Sequence, residues 1–480
     1  MDPQSIEQLR QIGNVIQSSI DTVVKLNDIS QGDLPSKPLF DAQRALLSAA
    51  GKLTELVSQP SIRILEVSSQ YFEARCLHII ADKRVPDILA EAGHDGVHVN
   101  EIAKSVGIEA QKLSRVLRCL CSIHVLDEVA PDTFANNKVS AALVGNEPLR
   151  AYILLFGFDL YSASDYLPRA LSDPVLGPSY KVDETPWQAA ANTSKSRWEW
   201  LEEQVSVKDL RSGNCGSGGA VSAYPGPFGD ELEKAVAGKA DDELVPRPEH
   251  SVFGLAMLGG GRVFGKAHLY DYPWSKLGNA TVVDVGGGVG GLCLQLSHLY
   301  PQLNFVVQDR APVLQQAENT VWPKENPSAL SKGRVTFMPH DFFNAQPIKS
   351  ADVYWLRYIL HDWSDEYCVK ILSAIRSSMG PQSRILICDQ VMNTTLGCPE
   401  LPPAPAPLPA NWGYYTRYSH QRDLAMMSII NGIERTPAQF REIVELAGLK
   451  LRKIWDCRSQ VSLVEVVLPG SPLIAGTNGS

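Results

Sequence analysis

The chain has 480 residues, of which 44% are hydrophobic and 20% charged, and its formal net charge is -9. A chain of this length and composition can bury two or three hydrophobic cores, which excludes disorder throughout. The negative charge argues against a main role in nucleic-acid binding, because that affinity comes from clustered Lys and Arg. No apolar run approaches the roughly 20 residues of a membrane helix, and the N-terminus lacks a basic stretch followed by an apolar core. The sequence therefore predicts a cytosolic protein that binds neither membranes nor nucleic acid.

The first half of the chain is predicted to be largely helical. Apolar residues recur every three or four positions, which is typical of amphipathic helices, over 6–24, 41–57, 61–76 and 77–92. Pro86 is expected to break the last of these helices, because proline cannot donate a backbone hydrogen bond.

Residues 97–129 show the order of a winged helix-turn-helix: a helix, a turn at Gly107, a second helix and a short strand. The second helix offers Lys112, Arg115 and Arg118, but acidic residues flank them. This charge balance is too weak for DNA binding, so a structural or dimer-forming role is favoured.

Composition predicts two insertions. Residues 205–245 are rich in Gly, Ser and Ala, cannot bury enough surface to order themselves, and are predicted to be flexible. Residues 398–421 are rich in Pro and are predicted to form an extended, stiff loop. The predicted domains are a helical one over 1–204, the insertion over 205–245, and a second domain over 246–480.

From Ala280 onward, short β-rich runs alternate with helical stretches. This alternation predicts an α/β, Rossmann-like fold, with a mostly parallel sheet covered by helices on both faces. The last two strand-like segments, 449–457 and 460–468, are joined by a tight turn, so the sheet should end in an antiparallel strand. A dehydrogenase sheet is typically parallel to its end, and the hairpin therefore favours the methyltransferase variant of this fold.

A glycine-rich loop follows the first of these strands. VVDVGGGVGG (282–291) contains GxGxxG as Gly286, Gly288 and Gly291, and Asp309 ends the next strand, where a carboxylate that binds ribose belongs. These features leave both NAD and S-adenosylmethionine (SAM) open. Asp284 would place a carboxylate at the mouth of the loop, where it would repel a pyrophosphate and favour a cationic sulfonium. SAM is therefore the predicted cofactor, and an NAD-dependent oxidoreductase is the alternative.

The second half also carries a series of motifs in a fixed order: VVDVGGGVGG, VVQDR, HDFF, DVYWLRYILHDWSDE, ILICDQVM and NGIERTPAQF. This series strongly resembles the SAM-dependent O-methyltransferases of the plant caffeate type and their fungal natural-product relatives. The similarity to the fungal members is strongest through SSQYFEARCLHII (68–80) and FGLAMLGGGRVFG (253–265). The resemblance covers the whole chain and implies a winged-helix dimerisation domain in the helical half, and hence a homodimer. It also implies transfer of the SAM methyl group to a phenolic or enolic hydroxyl of an aromatic secondary metabolite, such as a polyketide.

The resemblance implies cofactor roles residue by residue. Gly286 would contact SAM within the loop, and Asp309 would hold both ribose hydroxyls. Asp341 and Phe342 would flank the adenine, the carboxylate accepting from its amino group and the ring packing on its face. Arg357 stands where the family usually has Lys, which keeps the charge near the cofactor but changes its geometry.

His361 is the predicted general base. It follows the apolar strand 353–360 and precedes a helix, so it lies at the carboxyl end of a strand. A phenol has a pKa of about 10 and is mostly protonated at neutral pH, so attack by its oxygen needs a base, and the HDW context is similar to that of the family's base. Glu434 of the ERT motif and Asp389 at the end of ILICD would orient the imidazole. Asp389 stands where many plant members have Glu, and capping of nearby backbone is an equal alternative.

The acceptor pocket is predicted to take apolar and aromatic residues near these motifs, because flat aromatic substrates favour apolar walls. The candidates are Trp363, Met426, Met427 and Ile430, and each could instead be a core residue. No metal is predicted, because no His, Asp or Glu cluster has suitable spacing and the nine cysteines form no CxxC pairs. A noncatalytic winged-helix or SAM-fold regulator is a further alternative, which would explain only the first half.

Overall fold

The structure is a computed structural model that describes residues 2–26, 30–31 and 34–477. The chain divides into two compact units. The first unit contains residues 1–57, 264–427 and 431–480, and the second contains 58–263 and 428–430. In the described residues, no helix is long and apolar enough to cross a membrane.

The α-helices are, in chain order, α1 (Pro3–Leu26), α2 (Lys37–Val57), α3 (Pro60–Ser69), α4 (Tyr71–Asp82), α5 (Val85–Ala92), α6 (Val99–Val106), α7 (Ala110–Ser122), α8 (Glu147–Gly157), α9 (Asp159–Ser172), α10 (Pro186–Ala191), α11 (Arg197–Leu201), α12 (Val207–Ser212), α13 (Gly229–Val236), α14 (Pro248–Phe264), α15 (Ala267–Asp271), α16 (Gly291–Leu299), α17 (Ala311–Gln316), α18 (Trp322–Glu325), α19 (Pro327–Ser331), α20 (Asp365–Arg376), α21 (Arg417–Ile430) and α22 (Pro437–Leu446). The β-strands are β1 (Ser30–Gln31), β2 (Leu34–Pro35), β3 (Val97–His98), β4 (Leu126–Ala130), β5 (Thr133–Asn136), β6 (Gln204–Ser206), β7 (Leu244–Pro246), β8 (Thr281–Val285), β9 (Asn304–Asp309), β10 (Val335–Pro339), β11 (Val353–Arg357), β12 (Arg384–Asp389), β13 (Lys450–Trp455) and β14 (Ser462–Val467).

The first unit is built on a seven-stranded sheet with the order β10-β9-β8-β11-β12-β14-β13. Strands β8 to β12 pair in parallel, whereas β14 runs antiparallel between β12 and β13. The predicted Rossmann-like fold with an antiparallel terminal strand is confirmed. Because the five parallel strands share one direction, their carboxyl ends meet at a single edge, where ligands of such sheets bind.

Both faces of this sheet are covered, as the nearly continuous apolar runs of its strands require. Alternate residues point to opposite faces, so Trp355 and Leu386 pack in one core while Tyr354 and Ile385 pack in the other. The two cores hold the strands rigidly and fix the direction in which the residues at the strand ends point.

Helices α1 and α2 belong to the same unit as this sheet, together with the Pro-rich segment. Ile12, Ala45 and Ala49 form a buried cluster with residues of that segment, among them Trp412. The Arg44 guanidinium lies 3.7 Å from the centre of the Trp412 ring. Ser48 Oγ donates a hydrogen bond of 2.5 Å to the Trp412 carbonyl. The apolar stripe predicted on 6–24 thus gains its partner within the first unit.

The sequence predicted an extended loop over residues 398–421, but the segment is not extended throughout. A 3₁₀ turn covers Gly413–Thr416 and α21 begins at Arg417. Trp412 has a φ of 68°, which turns the chain into this helix. All the Pro residues of this segment lie before residue 413. Residues 413–421 carry no Pro and can therefore form helical turns.

In the second unit, the predicted helices 61–76 and 77–92 are divided at other places. The breaks fall at Gln70, between α3 and α4, and at Lys83 and Arg84, between α4 and α5. Arg84 has a φ of 51°, which ends the regular helix. Pro86 lies in the first turn of α5 and does not break it, because the N–H it lacks has no acceptor at that position.

Helices α6 and α7 are followed by the β4–β5 hairpin, and β3 pairs with β5. Gly107 ends α6 with a φ of 71°, and the Glu109 side chain accepts from the first turn of α7. Leu113, Leu117 and Leu120 of α7 are buried in the core of this segment. The elements therefore occur in the order that the sequence predicted for residues 97–129.

Residues 205–245 have regular structure, contrary to the predicted flexibility. They contain α12 and α13, and β6 pairs with β7. The Tyr224 hydroxyl donates a 2.9 Å hydrogen bond to the buried Glu249 carboxylate, and Cys215 is also buried. A few buried side chains and a paired strand at each end order a segment whose average composition is polar. The domain boundaries at 204 and 246 stay a prediction.

Two glycines of the N-terminal helices give a matched test of how α1 and α2 pack with the Pro-rich segment. A Cβ added at Gly51 of α2 would lie 2.2 Å from the Tyr414 Cβ, whereas one added at Gly13 of α1 meets no atom within 4 Å. We expect Gly13→Ala to raise the free energy of unfolding by roughly 0.5–1 kcal/mol, the usual gain in a helix. We expect Gly51→Ala to lower it by about 1–3 kcal/mol, because Tyr414 must move. Urea unfolding measures both, and an equal gain in the two variants would contradict the packing of α2.

Candidate active site

The candidate site lies at the carboxyl edge of the sheet, just beyond β11. After this strand the backbone turns sharply at Tyr358, which has a φ of 53°, and a short 3₁₀ turn covers Leu360–Asp362. The centre of this turn is His361, and its carbonyl accepts a 2.8 Å hydrogen bond from the Ile433 N–H. The His361 turn is thereby tied to the loop that precedes α22.

His361 and Glu434 form a buried pair. The His361 Nδ1 lies 2.9 Å from Glu434 Oε1, and the two residues are 4% and 3% exposed. On the other side of the ring, Nε2 lies 3.2 Å from Asp362 Oδ1. Burial alone would lower the pKa of His361, but the carboxylates of Glu434 and Asp362 raise it to about 9. The imidazole is therefore cationic at neutral pH in this arrangement.

Glu434 is held by a turn with strong local signals. Thr436 caps α22, and Gln439 completes the capping box. The Glu434 N–H donates to Asp423 Oδ1 at 2.9 Å, and Arg422 Nε lies 3.5 Å from Glu434 Oε1. Burial would raise the pKa of Glu434, but the charges of His361 and Arg422 hold it below its ordinary value. Glu434 therefore stays ionised.

Asp389 lies at the end of β12, next to the end of β11. Its Oδ1 accepts a 3.0 Å hydrogen bond from the Tyr358 N–H, and burial raises its pKa to about 6, an effect that the nearby His361 charge opposes. Within the described residues no hydrogen bond joins Asp389 to His361. The contact that the structure gives to Asp389 is thus the backbone-capping one that the sequence left open, while its catalytic role stays a prediction.

The glycine loop follows β8 as predicted. Gly286 and Gly288 have φ values of 71° and 59°, a region that favours glycine. The N–H groups of Gly286 and Gly287 donate to the Gln308 carbonyl, and the Gly288 N–H donates to Asp309 Oδ2 at 2.8 Å. Asp309 therefore holds the loop as well as standing at the carboxyl end of β9.

Asp284 lies against the glycine loop. It is 3% exposed, and its Oδ2 accepts a 3.3 Å hydrogen bond from the Cys293 thiol of α16. A Cβ at Gly287 would lie 2.5 Å from the Asp284 carboxyl carbon, so the carboxylate sits directly beneath the loop backbone. Burial raises its pKa to about 6. The role of Asp284 toward the cofactor stays a prediction.

The predicted adenine-binding residues lie beside the loop. A Cβ at Gly286 would come within 3.7 Å of the Phe342 ring. Asp341 is exposed, and its Oδ1 accepts from the Phe343 N–H at 3.0 Å. Phe342 also lies 6.2 Å from Trp363, between ring centres, in an edge contact. Trp363, predicted for the acceptor pocket, thus groups with the aromatic residues beside the glycine loop.

Several buried polar atoms at this edge lack a partner among the described residues. They include Nε and Nη2 of Arg357, both amide atoms of Gln390, Oδ2 of Asp389 and Oε2 of Glu434. Buried polar groups without partners are costly, so a ligand or water is expected to complete them. The orphaned guanidinium donors and the open backbone of the glycine loop fit a ligand with both a carboxylate and a ribose, as SAM has.

The remaining pocket candidates lie on α21. Met426 follows Arg422 by four residues and Met427 follows Asp423 by four, so both share the helix face that carries these two residues. Ile430 ends the same helix and is buried. Among the residues described, no group of three or more His, Cys, Asp and Glu side chains could hold a metal ion.

The sequence analysis missed four charged residues around the His361–Glu434 pair: Asp362, Arg422, Asp423 and Arg435. Asp362 and Arg435 adjoin the predicted catalytic residues in the chain, so adjacency was a usable signal. No signal marked Arg422 and Asp423, because their place depends on how α21 packs against the turn before α22.

Comparisons with known proteins bear on this geometry. An O-methyltransferase domain model matches residues 247–450, and an O-methyltransferase dimerisation domain model matches residues 65–146. The O-methyltransferase tpcA of Aspergillus fumigatus is 56% identical over 473 residues, which cover 96% of each chain. The chain belongs to the O-methyltransferase family.

The gedA O-methyltransferase of Aspergillus terreus is 58% identical over 90% of this chain and 88% of its own. A solved structure of LepI in complex with SAM matches with a TM-score of 0.64 and 21% identity, over 96% of this chain and 99% of that chain, and shows the shared fold. The family assignment confirms the predicted SAM-dependent O-methyltransferase and its cofactor, and decides against the NAD-dependent oxidoreductase and the noncatalytic regulator.

The stability of this O-methyltransferase should depend on pH through His361. Its pKa of about 9 in the folded chain lies above the ordinary value of 6.5. The pair therefore contributes its full stability below pH 6.5 and loses it as pH rises through 9. We expect the difference in unfolding free energy between wild type and His361→Gln to shrink by about 2–3 kcal/mol between pH 6.5 and 9. Urea unfolding at several pH values measures it, and a constant difference would contradict the buried ion pair.

Proposed function

We propose that this O-methyltransferase methylates a phenolic or enolic hydroxyl of an aromatic secondary metabolite, with His361 as the general base. The observation that carries the proposal is the 2.9 Å contact between His361 Nδ1 and Glu434 Oε1 in a buried site at the carboxyl edge of the sheet. An imidazole with one nitrogen bound to a carboxylate presents its other nitrogen to a substrate, which is the arrangement of a general base.

Bound SAM supplies an electrophilic methyl group on a sulfonium. The task left to the chain is to place the acceptor oxygen in line with that methyl group and to remove its proton. Alignment of the reacting atoms supplies much of the acceleration, and a positioned base adds on the order of a hundred to ten-thousandfold.

His361 would accept the proton at Nε2, the atom that faces Asp362. Its Nδ1–H donates to Glu434, which fixes the tautomer and stabilises the imidazolium after proton transfer. An acceptor hydroxyl would take the place of Asp362 at Nε2. Asp362 is 26% exposed in its side chain, so it can turn toward solvent at little cost.

The cofactor would lie across the ends of β8, β9 and β11. Gly288 leaves the loop backbone open to it, Gly286 would contact it within the loop, and Asp309 would accept from the ribose hydroxyls. The Arg357 guanidinium carries unpartnered donors that suit the carboxylate of the methionine part. Phe342 offers a ring face for the adenine beside the loop, with Asp341 next to it.

The acceptor would lie against α21. Met426 and Met427 share the helix face of Arg422 and Asp423, which contact Glu434, so this face points toward the base. Thioether side chains adapt to flat rings, which favours an aromatic acceptor.

We also propose that the enzyme is a homodimer. Helix α3 has no buried residue, although four of its ten residues are Ile, Leu or Val, and Ile64 and Leu65 are 70% and 64% exposed. Phe72, at the start of α4, is exposed as well. An exposed apolar surface of this kind marks an interface, and it overlaps the matched dimerisation domain, so a second copy of the chain is the expected partner. The cytosolic location stays a prediction.

The first test is His361→Gln. We expect kcat to fall at least a hundredfold while the Kd for SAM, measured by calorimetry, stays within about twofold, because glutamine cannot accept a proton and the substitution leaves the proposed cofactor residues in place. A screen of phenolic acceptors with S-adenosylhomocysteine release as readout measures turnover.

The pH profile is the control for this test. In the wild type, log kcat/KM should rise with pH up to about 9, because only the neutral imidazole accepts a proton. The variant should lack this rise. A rise of equal slope in His361→Gln would show that another group is the base.

The second test concerns the cofactor loop. We expect Asp309→Ala to raise the Kd for SAM more than tenfold, because the variant loses both the ribose acceptor and the hydrogen bond to the Gly288 N–H. Asp352→Ala is the matched control, since Asp352 Oδ2 also accepts a backbone N–H at 2.8 Å, from Thr281 at the far end of β8. Calorimetric titration measures both, and equal SAM affinity in the two variants would refute the proposed role of Asp309.

A further inference from the structure

The loop before α22 holds the His361 turn through more than Glu434. Arg435, the next residue, is 1% exposed and extends its guanidinium beneath that turn. Its Nη1 donates to the Leu360 carbonyl at 2.8 Å, and its Nη2 donates to the Trp363 carbonyl at 2.7 Å. The two carbonyls flank His361 in the chain, so the Arg435 side chain binds the turn on both sides of His361.

The guanidinium is itself fixed. Both Nε and Nη2 donate to Asp365 Oδ1, at 2.9 and 2.7 Å. The Arg435 carbonyl accepts a 2.9 Å hydrogen bond from the Met392 N–H, in the segment after β12. Arg435 is therefore anchored to the first residue of α20 and to the chain after β12, while it holds the His361 turn.

We infer that Arg435 is the positioning residue that sets the geometry between His361 and Glu434, by holding both carbonyls of the His361 turn from the residue next to Glu434. This inference rests on the proposed function, in which His361 is the base. His361 and Glu434 come from distant parts of the chain. Through Arg435, the loop that carries Glu434 also holds the turn that carries His361.

The planar fork of arginine is needed for this task. It presents donors in fixed directions to two carbonyls and one carboxylate at once. Lysine keeps the charge but has a single nitrogen, which cannot reach the carbonyls of Leu360 and Trp363 with the same geometry. A displacement of about 1 Å at a catalytic group can cost on the order of a hundredfold in rate.

Three variants test the inference: Arg435→Met, Arg435→Lys and, as a matched control, Arg458→Met. Arg458 is also buried, and it donates to the Pro35 carbonyl at 2.7 Å and to Asp271 Oδ1 at 2.8 Å, so its loss removes contacts of the same kind elsewhere in the unit. We expect kcat to fall at least tenfold in both Arg435 variants and less than threefold in Arg458→Met, with SAM affinity unchanged in all three.

The pH profile separates positioning from a purely structural role. The charged groups that face His361 are Glu434, Asp362 and Asp389, with Arg422 behind Glu434. In Arg435→Lys, which keeps the positive charge, a longer distance to Glu434 lowers the pKa of His361, so the rise of log kcat/KM should move to lower pH by about one unit. A loss of folded protein alone would lower activity at every pH and leave the profile in place.

A double variant completes the test. In the His361→Gln background, Arg435→Met should cost no further turnover, because no base remains to be positioned. If Arg435→Met does not fold, Arg435→Lys carries the comparison. If both Arg435 variants have the same turnover and pH profile as Arg458→Met, the inference is wrong. Near-normal turnover in His361→Gln would instead overturn the proposed function, whatever Arg435 does.

Discussion

The site depends on one buried ion pair, His361 with Glu434. Removing two charges from water is expensive, and their attraction compensates only when the geometry is good and the remaining polar atoms are satisfied. The surroundings meet part of this requirement: Asp423 accepts the Glu434 N–H, Arg422 approaches its Oε1, and the Ile433 N–H binds the His361 carbonyl. Oε2 of Glu434 has no partner among the described residues, so a ligand or water is expected to complete it. The short turn before α22 thus fixes the distance between the two side chains.

The sheet explains why this turn and His361 meet. Parallel strands bring the ends of β8, β9, β11 and β12 to one edge, and the two cores behind them leave little freedom at that edge. The glycine loop after β8 and the turn after β11 are neighbours in the sheet, although about 70 residues separate them in the sequence. The proposed cofactor loop and the proposed base are therefore brought close by topology alone.

The fold and most of the candidate site could be predicted from the sequence, and the predictions that failed did so for physical reasons. Alternation of strand and helix, the glycine spacing and the ERT capping box are local signals, so the sheet, the loop and Glu434 could be predicted. The packing of α1 and α2 with the Pro-rich segment depends on Trp412 and Arg44, which are distant in sequence. Residues 205–245 are ordered by a few buried contacts, such as that of Tyr224, that average composition does not register.

The charge of the pair also bears on the acceptor. Three carboxylates near one imidazole favour the imidazolium and raise the pKa of His361 to about 9. In the proposed mechanism only the neutral imidazole accepts a proton, so an ordinary phenol is deprotonated slowly at neutral pH. An acceptor whose hydroxyl is acidified by a conjugated carbonyl needs less help, because the imidazolium can then hold its anion directly. The proposed mechanism therefore favours phenols and enols of lowered pKa over simple alcohols.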